Sequence, residues 1–176
     1  LLSRFVIRES WATLEYLHQQ KLDISLSVNL SVQNLINTDF ISFLLDGAKK
    51  QSIPMERMIF EVTETSMTDN MDAVISALKL IAVSGGKIAL DDFGTGYSSL
   101  AYLSRLPIHE LKIDRCFISQ MCSSRNDLWI VENTLKLARA LNLETVAVGV
   151  EDADTVSLLH KLGCHRLQGY HFARPM

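Results

Sequence analysis

The sequence predicts an α/β fold of the (β/α)8 barrel type that lacks the barrel's N-terminal strands. Three observations predict it. Six short apolar runs recur along the 176 residues, most of them nearly continuous, as in strands buried on both faces of a parallel sheet. Helical patterns lie between the runs with no linker-like stretch, which implies one domain over residues 1–176. The Gly-rich phosphate turn that an open doubly wound sheet carries after an early strand is missing.

The elements follow in order. The first 24 residues read as helix, with Phe5, Val6, Trp11, Leu14 and Leu17 as its apolar positions. Five runs read as strands: Ser25–Asn29, Met58–Val62, Lys87–Asp91, Glu110–Asp114 and Thr145–Val150. His165–Gly169 is a weaker sixth. Met71, Val74, Ile75, Leu78 and Ile81 share a helical face after Thr68-Asp69-Asn70, a capping sequence. Leu128, Val131, Leu135, Ala138 and Leu141 repeat the pattern after Asn126-Asp127. Val156, Leu159 and Leu162 make a shorter helix ended by Gly163. From Ser25 to Met176 there are 152 residues, about 25 for each of six units, whereas a complete barrel takes about 250. Two strands are therefore expected to be missing on the N-terminal side, and the domain is expected to be N-terminally incomplete.

Composition narrows the class. Apolar residues make up 48% and charged residues 21%, with three prolines and eight glycines. That excludes disorder, collagen and low-complexity linker. No apolar run approaches the roughly 18 residues of a membrane span. The formal charge of −3 speaks against general DNA binding, which needs a basic face. Cys116, Cys122 and Cys164 lack zinc-ligand spacing and read as reduced thiols. With no signal peptide visible, a cytoplasmic location is expected, with membrane anchoring through an upstream region as the alternative. The five histidines show no metal spacing and read as surface or boundary residues.

The informative feature is where polar residues fall. Asn29, Glu61, Asp91, Asp92, Lys112 and Gln168 each end or closely follow an apolar run. In a parallel barrel the C-terminal strand ends converge on one face, where active sites are built. Oxygen donors of this kind suit Mg2+ or Mn2+. Adjacent carboxylates such as Asp91 and Asp92 repel each other unless a cation lies between them. Two metals sharing carboxylates are a recurrent device for phosphodiester hydrolysis. Any one of these residues alone reads as a helix cap or solvated loop residue; their repetition in successive units favours a site.

These residues also resemble a known family. Asn29-Leu30-Ser31, Glu61-Val62-Thr63-Glu64, the run from Asp91 to Leu100, Leu111-Lys112-Ile113-Asp114 and Gln168-Gly169-Tyr170 look like the signature blocks of EAL domains, bacterial cyclic-di-GMP phosphodiesterases. The resemblance covers residues 14–176. It implies a barrel that opens cyclic di-GMP to linear pGpG with Mg2+ or Mn2+, two ions in an intact site. Asn29, Glu61, Asp91 and Asp92 would hold metal. Lys112 and Asp92 would serve catalysis, with Lys112 holding the nucleophilic water or a phosphate oxygen. Gln168 and Asp114 would contact substrate. Glu64 would anchor a regulatory loop comprising Phe93, Gly94, Thr95, Gly96, Tyr97 and Ser98, which couples dimerisation to catalysis. A homodimer and an upstream sensor, receiver or GGDEF domain are the partners implied beside cyclic di-GMP.

Two departures stand out. The Glu-Ala-Leu segment that names the family, with its metal-ligating glutamate, is absent, in line with the two missing strands. At the fifth run the family pattern is Ala-Glu-Gly-Val-Glu, and this chain reads Ala147-Val148-Gly149-Val150-Glu151. Val148 stands where the resemblance implies a metal ligand or general base. Loss of a positioned base costs roughly 10²–10⁴-fold in rate, so weak or absent turnover is expected. The alternative is a degenerate domain that binds cyclic di-GMP or a protein partner and signals. A non-nucleotide phosphoesterase is disfavoured by the motif set.

Overall fold

The computed structural model describes residues 2–63, 70–95 and 103–175. The order is α1 (Leu2–Gln19), β1 (Leu26–Asn29), α2 (Val32–Leu35), α3 (Thr38–Lys50), a 3₁₀ turn (Met55–Arg57), β2 (Met58–Thr63), α4 (Met71–Val83), β3 (Lys87–Phe93), β4 (Glu110–Ile113), α5 (Arg115–Ile118), α6 (Arg125–Ala140), β5 (Glu144–Val148), α7 (Ala153–Leu162) and β6 (Arg166–Gln168). All six strands pair in parallel, in chain order from β1 to β6. Sequential parallel neighbours are what right-handed β/α units produce. The result is a half-barrel, with helices covering one face of the sheet.

Alternation along the strands sorts the two faces. Phe60, Val62, Ile88, Leu90, Leu111, Ile113 and Ala147 join the core beneath the helices. The residues between them, Ile59, Glu61, Ala89, Asp91, Glu110 and Lys112, occupy the inner face. The fully buried Leu78, Ile81, Ile88, Leu90 and Leu111 each contribute roughly 1.5–3 kcal/mol by removal from water.

Local signals explain most boundaries. Asn37 caps α3 by accepting the Phe40 N–H at 2.9 Å. Gly163 ends α7 in the left-handed conformation, φ +74°, where a Cβ is disfavoured. Three expectations need correction. The first helix stops at Gln19, and it buries Ile7, Trp11 and Leu14 rather than Phe5 and Val6. Positions 7, 11 and 14 follow the i, i+4, i+7 stripe, and 5 and 6 lie off it. Asn70 precedes α4 in the left-handed region and makes no side-chain cap; Thr68 and Asp69 lie outside the described residues. Helix α6 begins earlier than expected, because the Ser124 hydroxyl accepts the Asp127 N–H.

Trp11 fixes α1 to α3. Its ring lies 5.5 Å from that of Phe43, and a Cβ at Gly47 would stand 2.4 Å from its Cη2. Only glycine leaves room there. The buried indole N–H has no hydrogen-bond partner among the described residues, so packing alone holds this contact.

Candidate active site at the strand C-termini

The sheet delivers the sequence-predicted residues to one rim. Asn29 ends β1, Glu61 lies two residues before the end of β2, Asp91 and Asp92 lie near the end of β3, Lys112 near that of β4, and Val148 and Gln168 end β5 and β6. Cross-strand pairing sets Asn29 opposite Glu61, Thr63 opposite Asp91, and Val148 opposite Gln168. The C-terminal end of a barrel sheet is where catalytic groups collect.

Lys112 is the centre of the arrangement. It is buried, and its Nζ donates to Glu61 Oε2 at 2.9 Å and to Asp91 Oδ2 at 2.8 Å. Burial disfavours the ammonium, but the bonds from Asp91 and Glu61 outweigh it and hold its pKa above the ordinary lysine value. Lys112 therefore stays charged at neutral pH.

Asp92 is placed by a device the sequence does not announce. Successive residues of a regular strand point to opposite faces. Between Leu90 and Phe93 the β3–β4 register slips by one residue, and Asp92 takes φ +55°. This bulge, with a non-glycine residue in the left-handed region, re-aims the Asp92 side chain. The Asp92 N–H donates to Asp91 Oδ1 at 3.0 Å, and the charge of Asp114 acts on the Asp92 carboxyl. Burial first, and then the charges of Asp91 and Asp114, raise the Asp92 pKa. Burial also opposes the Asp114 charge, yet hydrogen bonds from the Cys116 side chain and N–H outweigh it and lower its pKa. Asp114 accepts the Cys116 N–H at 2.8 Å as the cap of α5.

The β5 and β6 ends lock together around two glycines. Gly149 N and Val150 N both donate to the Gln168 carbonyl, at 2.8 and 3.0 Å. Gly149 has φ +82°, and a Cβ there would stand 2.2 Å from Arg115 Cγ; one at Gly169 would stand 2.0 Å from the Val150 carbonyl oxygen. Arg115 Nη2 donates to Glu151 Oε1 at 2.6 Å, tying the β4 rim to the β5 rim. Val148 ends β5 on the side opposite Ala147, which joins the core. Beside Asn29 a hollow of about 560 Å3 opens, lined also by Ser31, Gln33, Thr63 and Asn70.

Of the expected loop, Phe93 ends β3, and Gly94 follows with φ +99°, where a Cβ would meet the Phe117 ring at 2.8 Å. Glu64, Gly96, Tyr97 and Ser98 lie outside the described residues. In kind, the donors fit a hard divalent cation: carboxylates and an amide oxygen. In number they are short. Among the described residues no three His, Cys, Asp or Glu side chains converge to metal distance, and the Lys112 ammonium fills the space between Glu61 and Asp91.

The histidines are exposed, as expected. Two nevertheless accept backbone N–H groups, His109 from Ile88 and His165 from Thr145, a role that metal-ligand spacing does not reveal.

A parallel half-barrel with a lysine-bridged pair of carboxylates at its strand C-termini is the frame of a (β/α)-barrel domain with its polar site at the usual rim. The chain belongs to the EAL domain family, whose model matches residues 1–175. It is 40% identical over 154 residues to the bifunctional diguanylate cyclase/cyclic di-GMP phosphodiesterase MucR of Pseudomonas aeruginosa, which covers 88% of this chain. It is 34% identical over 176 residues to the cyclic di-GMP phosphodiesterase NbdA of the same organism, covering 99% of this chain. The chain spans 22% of the length of each of these curated relatives. Among solved structures, the MucR phosphodiesterase in complex with c-di-GMP superposes with a TM-score of 0.92 at 37% identity, over 99% of this chain and 71% of that one. The EAL domain of Mycobacterium smegmatis DcpA gives 0.92 at 33% identity, over 99% of this chain and 79% of that one.

Proposed function

We propose that this chain is a cyclic-di-GMP-binding EAL domain whose hydrolysis of the dinucleotide to linear pGpG is very slow. The buried Lys112 bridge between Glu61 and Asp91 is the observation that carries binding of an anionic phosphodiester near divalent metal. Val148 is the observation that carries slow chemistry.

Asn29, Glu61, Asp91 and Asp92 would hold Mg2+ or Mn2+, and a bound ion would activate water and stabilise the leaving oxygen. Asp114, whose charge acts on Asp92, is proposed to contact the substrate. Lys112 holds a positive charge at the rim, where the phosphate oxygens of the substrate arrive. Gln168 is proposed to contact the substrate through its side-chain amide, since its carbonyl is already used by Gly149 and Val150. A valine at position 148 can neither take a proton from water nor ligate a metal, so the chemical step loses its base while the other contacts remain.

A regulatory module that signals by binding alone is the second reading, and Val148 favours it. A homodimer and an upstream sensor, receiver or GGDEF domain belong to either reading. No helix among the described residues is long and apolar enough to cross a membrane, and cytoplasmic action is part of the proposal. Calorimetric titration with cyclic di-GMP in Mg2+ or Mn2+, with chromatography of the product, tests it. Saturable binding with slow conversion is expected; absence of both binding and conversion in either metal overturns it.

A further inference from the structure

At the opposite end of the strands, two histidines 56 positions apart occupy equivalent places. His109 immediately precedes Glu110, the first residue of β4, and His165 immediately precedes Arg166, the first residue of β6. Each ring reaches the next strand back in the sheet. His109 Nδ1 accepts the Ile88 N–H of β3 at 3.2 Å, and His165 Nδ1 accepts the Thr145 N–H of β5 at 3.1 Å. Backbone contacts complete the stitching. His109 N donates to the Ile88 carbonyl and Glu144 N to the His109 carbonyl, both at 2.9 Å. His165 N donates to Thr145 Oγ1 at 3.2 Å. The residues that follow the two histidines then meet, Arg166 Nη1 lying 2.5 Å from Glu110 Oε2, and Arg166 also pairs with Glu144. Four of the six strands are joined here.

An imidazole nitrogen that accepts an N–H must carry a free lone pair. Protonation of that nitrogen turns an acceptor into a donor facing a donor. His165 Nδ1 also faces the Thr145 hydroxyl oxygen at 2.8 Å, so its tie does not depend on the N–H alone. We propose that His109 is an acid-sensitive stitch between the N-terminal ends of β3 and β4, closed when its ring is neutral and opened by protonation. The ionisable neighbours are mixed in sign. Lys87 on β3 and Glu144 on β5 act on His109 with opposite effect, and Glu110 follows it in β4. His165 shares a hollow with Arg139 of α6 and Glu144, and its chain neighbours are Cys164 and Arg166. For His109, burial and then Lys87 lower the pKa, against the pull of Glu144. A histidine whose pKa falls on folding stabilises the closed form above its unfolded value, about 6.5, and loses that contribution as pH drops through it. At pH 5.5 the opening constant rises by up to about tenfold for one such ring. The device is independent of what the C-terminal rim binds.

Amide hydrogen exchange of the protein at pH 7.5 and 5.5, corrected for intrinsic rates, reads the stitch directly. Protection of the Ile88 amide is expected to fall by up to about tenfold between the two values. In His109→Asn the amide oxygen accepts the same N–H without titrating, and the fall at Ile88 is expected to vanish. Equal protection of Ile88 at both pH values, or an undiminished fall in the asparagine variant, would overturn the proposal. Imidazole 15N shifts of the unsubstituted protein give a reading that needs no variant. The His109 Nδ1 resonance is expected in the unprotonated, acceptor range at pH 7, and a protonated Nδ1 there would equally end the argument.

Discussion

Lys112→Met removes the ammonium from between two carboxylates and leaves its shape nearly intact. The side chains of Lys112, Glu61 and Asp91 are 5%, 10% and 17% exposed, so water compensates poorly. Each pair at 2.8–2.9 Å carries roughly 6 kcal/mol of gross attraction at an effective dielectric near 20. Dehydrating the three charges consumes much of that, and breaking such a buried pair from one side costs about 3–5 kcal/mol because the remaining charges are orphaned. Against a total stability of about 5–15 kcal/mol, the variant sits near its folding limit. Urea unfolding at pH 7 measures the loss, and the triple variant Lys112→Met, Glu61→Gln, Asp91→Asn is expected to recover most of it. An amine whose pKa is raised on folding stabilises below its unfolded value, about 10.4, and loses that contribution as pH rises through the folded value. The gap between the protein and Lys112→Met is therefore expected to stay constant from pH 6 to 9. A loss under about 1 kcal/mol, the scale of an exposed pair, would refute the buried bridge.

Two further outcomes follow from the rim. Gly149→Ala forces a Cβ onto the Arg115 stem at φ +82° and is expected to cost about 1–3 kcal/mol in urea unfolding; adding Arg115→Ala recovers the part due to the clash. Asp114→Ala removes the α5 cap and the charge that acts on Asp92, with an expected loss of about 1 kcal/mol and weaker Mn2+ binding by calorimetry.

The sequence made the strands legible because parallel β/α units write them as short, near-continuous apolar runs. All six runs correspond to observed strands, and the charged residues after Phe60, Leu90 and Leu111 (Glu61, Asp91 and Lys112) sit on the inner face that alternation assigns. What escaped depends on backbone geometry. Nothing in Asp91-Asp92 announces a bulge, since its cause is the β3–β4 register rather than either residue type. In the first helix several apolar residues compete, and the stripe through Ile7, Trp11 and Leu14 is singled out from Phe5 and Val6 only once one face is buried. Asp114, whose charge raises the Asp92 pKa, stands 22 positions away in the chain. A ring accepting a backbone N–H leaves no spacing motif, so the places of His109 and His165 are not legible in the sequence.

The central claim is that this rim retains its ligand but lacks a base at Val148. Metal-dependent hydrolysis of cyclic di-GMP, followed as pGpG in Mn2+ for the protein and for Val148→Glu, tests it most directly. Restoring a positioned carboxylate is worth roughly 10²–10⁴-fold in an ideal site. The account predicts a rise of at least about tenfold on that scale, with dinucleotide affinity little changed. Rapid turnover by the Val148 protein, unaltered by the substitution, would contradict it.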